Sequence, residues 1–415
     1  MRASNIWRWV ICLSVTALVA AACGGGGAPN AHGNGTLELG YVLPETGQLA
    51  YLGPPQIQAL NMAVRDINNA GGVLGKPIPP PAGGDEAGQE AIAVQSADRI
   101  LASGVDAIIG AAASGMSLAI IDKVTGSGTV QCSGSNTAPT FTNYNDGGLY
   151  FRTAPSDALQ GPVLAKTIVG DGHKRVALVA RADDYGRGLM DATRKSLEAA
   201  GATVVLTQTY DPQSTNFQQL VQQIKNAQPD AASVIAFEEG TQILRTMIEN
   251  GVGPQQIGVY GADGLRSEQL ASLVSPRDPS VIAGMKGTAP ASAANQDFLN
   301  RLHQFAPSLN EVQFAPQVYD CVTIIALAAA KANSDDPARF APLIDQVTNG
   351  RQRCTLYAEC KTMLQQGKDI GYDGASGPLN FIPQGEPGKA TIEVYGYDQT
   401  GKLQSLRTEV STGQG

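Results

Sequence analysis

The sequence predicts an α/β protein made of two doubly wound, Rossmann-like lobes, and three observations support this prediction. Short apolar segments alternate with amphipathic helical segments along the chain, which is typical of βαβ units and parallel sheets. The segment VDAIIG (105–110) is almost continuously apolar, as expected for a strand covered on both faces of its sheet. The strand–helix units are too numerous for one small sheet, and residues 151–162 separate them into two series. Two lobes are therefore the simplest arrangement.

The first series opens at residues 37–43 (LELGYVL), which alternate between apolar and polar positions and end before Pro44. Apolar residues from Ile57 to Ile67 then recur at helical spacing, and Gly71 ends that helix. The later elements of this series are strands at 105–110 and 129–133, with a helix through 118–124 between them.

The second series begins at residues 175–180 (RVALVA) and repeats the same alternation. Its further strands are predicted at 203–208, 232–237 and 257–261, and its helices near 187–200, 214–227 and 241–250. The end of the chain differs, because TIEVYGYD and KLQSLRTEV flank QTG and predict an antiparallel hairpin.

Composition and motifs exclude several classes of protein. Of 415 residues, 16% are charged and 43% are hydrophobic, which excludes wholesale disorder. The net charge of −8 argues against a nucleic-acid binder, which needs clustered lysine and arginine. The absence of a C-x₂-C pair argues against a zinc site. No P-loop or G-x-G-x-x-G motif follows a predicted strand, and no G-x-S-x-G surrounds Ser114, so we expect no enzyme, no cofactor and no metal.

Residues 1–22 predict a signal peptide for export. Arg2 and Arg8 precede an apolar run at 9–22 that is too short for a membrane-spanning helix. The run ends in AAAC, which resembles a bacterial lipoprotein signal with Cys23 as the lipidated residue. An ordinary secretory signal cut after its A-x-A sequence is the alternative, and both imply export. Residues 23–35 are then expected to form a lipidated, flexible tether to the membrane.

Export permits disulfide bonds, and four cysteines are candidates for them. They are Cys132, Cys321, Cys354 and Cys360. Four cysteines allow three pairings. Cys354 and Cys360 flank TLYAE and could close a small loop, which would leave Cys132 to pair with Cys321. Free buried thiols are the alternative.

Polar side chains follow several predicted strands, and open parallel sheets bind ligands at those carboxyl ends. Ser114 starts a helix after 105–110, where exposed N–H groups and a hydroxyl suit a carboxylate. The loop SGSNTAPTFT (133–142) follows the next strand. Strands of the second series are followed by ARADDYGRG, AFEEGTQ and GADGLRS, which contain Tyr185, Glu238, Glu239 and Asp263. Together these loops suit a zwitterion, whereas each residue alone would also serve as a helix cap or a solvated charge.

Four stretches resemble the periplasmic ligand-binding proteins of the leucine/isoleucine/valine type, which serve ABC importers. They are LPETGQLAYLGPPQIQALNMAVRDINNAGGVLGKPI, IIGAAASGMSLAIIDKVTGSGTVQCSGSNTAPTFT, YFRTAPSDALQGPVLAKTI and ADDYGRGL. The resemblance implies a type I periplasmic-binding clamshell, in which three hinge crossings join two lobes. By this analogy the N-terminal lobe takes 36–153 and 290–378, and the C-terminal lobe takes 154–289 and 379–412.

The resemblance also implies roles for residues of the N-terminal lobe. Ser114 matches the serine that holds the ligand carboxylate. Ser135 and Thr137 match a loop that offers a carbonyl and a hydroxyl, with Asn136 between them. Leu52 falls near the entrance, where some relatives have an aromatic residue.

In the C-terminal lobe, Tyr185 matches a tyrosine that packs on the ligand. Asp263 matches an acidic residue that binds the α-ammonium group, although some members have Glu there. Glu238 aligns near a second aromatic of the family, and we expect it to favour a polar or cationic ligand group.

The implied function is that of an extracytoplasmic substrate-binding lipoprotein, attached to the cell membrane through the lipid on Cys23. It would capture an amino acid or a similar small polar molecule by hinge closure and deliver it to the permease subunits of an ABC importer. A ligand-sensing receptor component without transport is the alternative, since the same clamshell serves both roles.

Overall fold

The computed structural model describes residues 32–291 and 295–412, and these residues form two α/β lobes. Lobe 1 is built on the elements β1 (Leu39–Leu43), α1 (Gly53–Asn69), β2 (Ala82–Asp85), α2 (Glu90–Leu101), β3 (Ala107–Gly110), α3 (Ser114–Gly126), β4 (Val130–Ser133) and β5 (Tyr150–Arg152). The strands form a parallel sheet in the order β2-β1-β3-β4-β5.

Lobe 2 repeats this winding. Its elements are α4 (Asp157–Gly170), β6 (Arg175–Arg181), α5 (Asp184–Ala199), β7 (Thr203–Tyr210), α6 (Gln218–Ala227), β8 (Ala231–Ile235), α7 (Gly240–Glu249), β9 (Gly258–Gly261), α8 (Leu270–Val274) and β10 (Lys286–Pro290). The parallel strands run β7-β6-β8-β9-β10, which is the order of lobe 1. In each lobe the winding therefore reverses beside the first strand, where doubly wound sheets bind ligands.

The remaining chain completes both lobes. It contains α9 (Gln296–Phe305), α10 (Ala315–Ala332), α11 (Pro337–Phe340), α12 (Ile344–Asn349), β11 (Gln352–Cys354), α13 (Tyr357–Gln365), β12 (Ile370–Gly374), β13 (Gly377–Pro378), β14 (Phe381–Ile382), β15 (Glu386–Pro387), β16 (Lys389–Tyr397) and β17 (Leu403–Thr412). Helix α10 is buried along most of its length and packs in the core of lobe 1. Strands β16 and β17 form the predicted antiparallel hairpin, and β16 pairs with β10 of lobe 2.

The chain passes between the lobes three times, as the resemblance implies. The first passage follows β5, the second follows β10, and the third precedes β16. The third passage differs in position from the expected boundary after 378. Leu379 and Phe381 pack in the core of lobe 1, and Glu386 accepts hydrogen bonds from Arg152 of that lobe. Residues 379–387 therefore belong with lobe 1, because their apolar side chains are buried there.

The two predicted disulfide bonds are present. Cys132 on β4 bonds to Cys321 on α10, and Cys354 bonds to Cys360 across six positions of the chain. All four cysteines are buried. The first bond joins the sheet of lobe 1 to the helix that covers it.

Residues 32–35, predicted as part of the tether, lie against lobe 1. Nδ1 of His32 is 3.1 Å from Oδ1 of Asp106, and the backbone N–H of Gly35 donates to Asp335 at 2.7 Å. The signal peptide, Cys23 and the rest of the tether lie outside the described residues. Within the described ranges, no helix combines the length and the apolar character needed to cross a membrane.

Candidate functional site

A cavity lies between the lobes, at the carboxyl ends of the strands where both sheets reverse their winding. It has an empty volume of about 280 Å³. We call it the inner cavity, and its lining residues are Leu49, Leu52, Ala112, Ala113, Ser114, Ser135, Tyr185, Phe237, Asp263, Gly264 and Phe314. The structure thus brings Leu52, Ser114, Ser135, Tyr185 and Asp263 together from distant parts of the chain.

The lobe 1 wall is the start of helix α3. Ser114 is the first residue of this helix, and its side chain does not cap it. Instead its Oγ accepts a hydrogen bond from the backbone N–H of Ala138 at 3.3 Å. The first N–H groups of a helix have no acceptor within the helix, and the helix dipole favours an anion there. This wall therefore suits a carboxylate.

Glu86 supports that wall and was not predicted from the sequence. Its carboxylate is fully buried and accepts the backbone N–H groups of Ala112 at 2.6 Å and of Ala113 at 3.1 Å. Burial raises the pKa of Glu86 to about 8, although the two N–H donors oppose this effect. Glu86 therefore occupies the N–H groups just before α3, which leaves those of Ser114 and its successors for a ligand.

In the loop after β4, the side chains of Asn136 and Thr137 have different surroundings. The Asn136 side chain donates to the carbonyls of Ala111 at 3.1 Å and Ala112 at 2.9 Å, and it accepts from Tyr150 at 2.8 Å. These bonds hold the loop within lobe 1. The Thr137 hydroxyl is buried and lies next to the carboxyl group of Asp157.

Asp263 is the centre of the lobe 2 wall. Its Oδ1 accepts hydrogen bonds from Tyr185 Oη at 2.9 Å and from Gln160 Nε2 at 2.7 Å. Burial raises the pKa of Asp263 above its usual range, while these two donors lower it. Asp263 is thus a buried acceptor at the cavity wall, and its two hydrogen-bond donors, Gln160 and Tyr185, are both neutral.

Asp157, which we did not predict, lies beside this group. It is fully buried, and neither of its carboxylate oxygens has a hydrogen-bond partner. Burial and the nearby Asp263 carboxylate raise its pKa well above the usual range, whereas the adjacent Thr137 hydroxyl lowers it. Two buried acidic groups therefore lie close to each other, and no lysine or arginine in the described part of the chain forms an ion pair with either. This pair suits a cationic group of the ligand.

An aromatic stack forms the side of the cavity in lobe 2. The rings of Tyr185 and Phe237 lie 5.2 Å apart at 17°, and the Arg181 guanidinium lies 3.5 Å from the centroid of Phe237. Arg181 also pairs with Asp183 at 2.5 Å and with Glu239 at 2.9 Å. Glu239 therefore has a counter-charge within lobe 2, and it lines neither the inner cavity nor the cavity beside it.

Glu238 does not line the inner cavity. It is exposed just before helix α7 and lines a second, adjacent cavity with an empty volume of about 460 Å³. We call this second cavity the outer chamber. Its remaining lining residues are Tyr51, Thr241, Gly264, Leu265, Ser267, Gln269, Leu270 and Leu273.

Several contacts hold the lobes together around the inner cavity. Tyr51 Oη donates to the Gly264 carbonyl at 3.0 Å, and Gln313 Nε2 donates to the Asp263 carbonyl at 2.9 Å. Gln48 Nε2 of lobe 1 donates to the Pro212 carbonyl of lobe 2 at 2.8 Å. The structure therefore has its cleft closed.

Comparisons with known proteins agree with this architecture. A family model described as periplasmic binding protein matches residues 36–402. The chain is similar to the Leu/Ile/Val-binding protein BraC3 of Rhizobium johnstonii, with 27% identity over 316 residues that cover 75% of this chain and 83% of the relative. It is also similar to the Leu/Ile/Val-binding protein homolog 3 of Brucella melitensis, with 25% identity over 89% of this chain and 93% of the relative.

Solved structures share the fold. The leucine-binding protein LivK of Thermotoga maritima has a TM-score of 0.75 at 19% identity, covering 90% of this chain and 98% of its own. The substrate-binding protein LivJ of Streptococcus pneumoniae, in complex with isoleucine, has a TM-score of 0.74 at 22% identity, covering 91% and 100%. A solute-binding protein of an R. palustris ABC transporter, in complex with 4-hydroxybenzoate, has a TM-score of 0.75 at 17% identity, covering 91% and 98%.

Proposed function

The chain belongs to the periplasmic binding protein family, and from that premise we propose that it is the extracytoplasmic substrate-binding component of an ABC importer. Its ligand is an amino acid, which it encloses in the inner cavity and delivers to a membrane permease. The observation that carries this assignment is that Asp263 and the start of helix α3 line one cavity, with the buried Asp157 close to Asp263.

The two walls of the cavity match the two charges of an amino acid. Ser114 and the first N–H groups of α3 would bind the α-carboxylate, because hydrogen bonds to an ionised acceptor are stronger than neutral ones. Asp263 and Asp157 would bind the α-ammonium, with the Thr137 hydroxyl as a further acceptor. Tyr185 and Phe237 would pack on the apolar part of the ligand.

The acidic pair favours an amino acid over an aromatic acid. A benzoate-type ligand brings a carboxylate but no cation, so Asp157 and Asp263 would stay buried without a counter-charge. Buried acids without a counter-charge take up a proton, so they offer an aromatic acid no charged partner. An ammonium group favours their ionised forms, and the energy gained on binding would then depend on both acids.

Closure follows from the division of the site between the lobes. The carboxylate wall belongs to lobe 1 and Asp263 to lobe 2, so a ligand reaches both only when the lobes are closed. A ligand shifts a conformational equilibrium by its difference in affinity for the two states. A zwitterion that spans the walls would therefore favour the closed form for docking on a permease.

The membrane anchor is part of the proposal. A lipid on Cys23 would leave only residues 24–31 between the anchor and His32, which lies on lobe 1. An extended chain spans at most ~3.3–3.6 Å per residue. This short connection would hold the protein close to the membrane and to its permease, which raises their effective concentration.

Calorimetric titration of the full chain, purified in mild detergent, tests the proposal. L-leucine, L-isoleucine, L-lysine and 4-hydroxybenzoate are compared on the wild type, on Asp263→Asn and Asp157→Asn, and on Asp98→Asn. Asp98 is an exposed control on α2. We expect the wild type to bind an amino acid and each cavity variant to weaken this binding about 100-fold, or about 3 kcal/mol. Binding of the aromatic acid alone, or full amino-acid affinity in both cavity variants, would contradict the proposal.

A further inference from the structure

The outer chamber lies next to the inner cavity, and the two share the lining residue Gly264. Most of its walls come from lobe 2, where Glu238 and Thr241 lie at the start of α7 and Leu273 lies on α8. Tyr51 covers it from lobe 1. Because its walls come from both lobes, the outer chamber is complete only when the cleft is closed.

A thin partition separates the two spaces. Gly264 lines both of them, and the hydroxyl of Tyr51 donates across the lobes to the Gly264 carbonyl at 3.0 Å. The partition thus consists of one backbone segment without a side chain and one neutral hydrogen bond. A neutral hydrogen bond contributes only ~0.5–1.5 kcal/mol. A ligand chain that displaced the Tyr51 ring would join the cavities, at the cost of this hydrogen bond and of the ring's packing against the neighbouring core.

The lining of the outer chamber combines an apolar wall with one acid. Leu265 and Leu270 are buried there, while Leu273 is 39% exposed. Glu238 stands at the rim, and among residues 32–291 and 295–412 no ion pair involves it. The nearby Arg266 is already engaged by Glu393 at 2.7 Å and by Glu311 at 3.5 Å. The outer chamber therefore has affinity for a methylene chain and a negative charge without a counter-ion.

We infer that the outer chamber receives the side chain of the bound amino acid and selects an unbranched aliphatic chain that ends in a cation. This inference rests on the proposed function, since the α-carboxylate and α-ammonium groups stay in the inner cavity. It assigns Glu238 to the end of the side chain, and the apolar contacts of the leucines to its methylene groups. A short branched side chain would end before the partition and leave the outer chamber empty.

Affinities for L-lysine, L-norleucine and L-leucine test the inference. Norleucine matches the carbon chain of lysine and lacks its terminal ammonium, so the ratio of the two affinities isolates the charge. The full chain in detergent is titrated as wild type, as Glu238→Gln, and as the control Glu249→Gln, an exposed acid at the other end of α7. We expect lysine to bind about tenfold more tightly than norleucine in the wild type and the control. In Glu238→Gln the two affinities should become similar.

Two results would overturn the inference while the proposed function stands: leucine binding more tightly than both longer ligands, or a lysine preference that survives in Glu238→Gln. Failure of all three amino acids, together with binding of 4-hydroxybenzoate, would overturn the proposed function and the inference together. A Tyr51→Ala variant adds an independent measurement. Removing the ring opens the partition, so norleucine should gain affinity relative to leucine; equal changes for both ligands count against the joined cavity.

Discussion

The hydroxyl of Tyr185 donates to Oδ1 of Asp263 at 2.9 Å and accepts the backbone N–H of Gly264 at 3.2 Å. One phenol thereby fixes both the carboxylate and the backbone that separates the two cavities. Because the Tyr185 ring also stacks on Phe237, its position is set by packing as well as by hydrogen bonds. Asp263 is therefore held in place before a ligand arrives.

The first prediction concerns this phenol. Tyr185→Phe keeps the stack on Phe237 and removes only the hydroxyl, so Asp263 loses one of its two donors. We expect amino-acid affinity to fall about tenfold, which corresponds to about 1.4 kcal/mol. Titration calorimetry measures it. Tyr260→Phe, a buried tyrosine of lobe 2 that does not line the inner cavity, is the control.

The second prediction concerns protons released on binding. Burial raises the pKa of Asp263 to about 6, and an ammonium group needs the ionised form. Below that pH the carboxyl must lose its proton when the ligand binds, so affinity should rise as the pH increases from about 5 to about 7. Titration at pH 5.5 in two buffers of different ionisation enthalpy measures the released proton. If the Asp263→Asn variant still released a proton on binding, another group would be its source.

The third prediction concerns Glu86 and stability. Its folded-state pKa of about 8 exceeds the ordinary value of 4.5, so the folded protein binds more protons than the unfolded chain between these pH values. Stability should therefore decrease as the pH rises from about 4.5 to about 8, by up to ~1.4 kcal/mol per pH unit for this group.

Replacing the carboxyl by an amide removes that titration. Glu86→Gln should show a smaller decrease in the free energy of unfolding between pH 5 and pH 8, measured by urea denaturation. Parallel pH profiles of the variant and the wild type would show that Glu86 does not titrate in this range.

The fourth prediction concerns the two disulfide bonds. The chain-entropy treatment relates the stabilisation to the length of the closed loop. The loop between Cys132 and Cys321 spans 189 positions, and the loop between Cys354 and Cys360 spans six. Replacing the first pair by alanine should lower the free energy of unfolding by about 5 kcal/mol, and replacing the second by about 2 kcal/mol. Equal losses in urea denaturation would show that loop length does not govern the effect.

The fifth prediction concerns Gln48, a residue that joins the two closed lobes but does not line the inner cavity. Gln48 does not line the inner cavity, yet it bonds to Pro212 and to Arg181 of lobe 2, at 2.8 and 3.3 Å. Gln48→Ala should destabilise the closed form and weaken ligand affinity about three- to tenfold, through faster dissociation. Stopped-flow kinetics separates the two rates. Gln222→Ala, exposed on α6, is the matched control; a slower association with unchanged dissociation contradicts this account.

Sequence patterns predicted the two lobes and the central residue of each cavity wall, Ser114 and Asp263. These depend on the order of strands and helices along the chain. Ser114 and Asp263 follow apolar strands, and the ends of parallel strands meet at one edge of a sheet. Glu238 also follows a strand, but a loop position does not determine which side of the loop a side chain occupies. It lies two residues before α7 starts and faces the outer chamber rather than the inner cavity.

Two acidic residues were missed for different physical reasons. Asp157 lies in the segment between the two series, where the sequence shows a linker and the structure has the first turn of α4. Glu86 follows β2, whose sequence AGGD has no strand-like pattern. A Cβ atom at Gly83 would lie 2.4 Å from the Tyr41 hydroxyl, and one at Gly84 would lie 2.7 Å from Ser96. Close packing therefore requires glycine at these positions, and glycines do not show the apolar pattern by which a strand is recognised in a sequence.

The bond between Cys132 and Cys321 has a consequence for the connectivity of the whole molecule. It joins a strand that precedes the first passage to a helix that follows the second. Helix α4 and strands β6 to β10 therefore lie within a covalent ring, and the disulfide bond that closes this ring lies in lobe 1. If one peptide bond of that ring were cleaved, the disulfide bond would still join the two fragments in one molecule. The two fragments would then separate only after reduction of this bond.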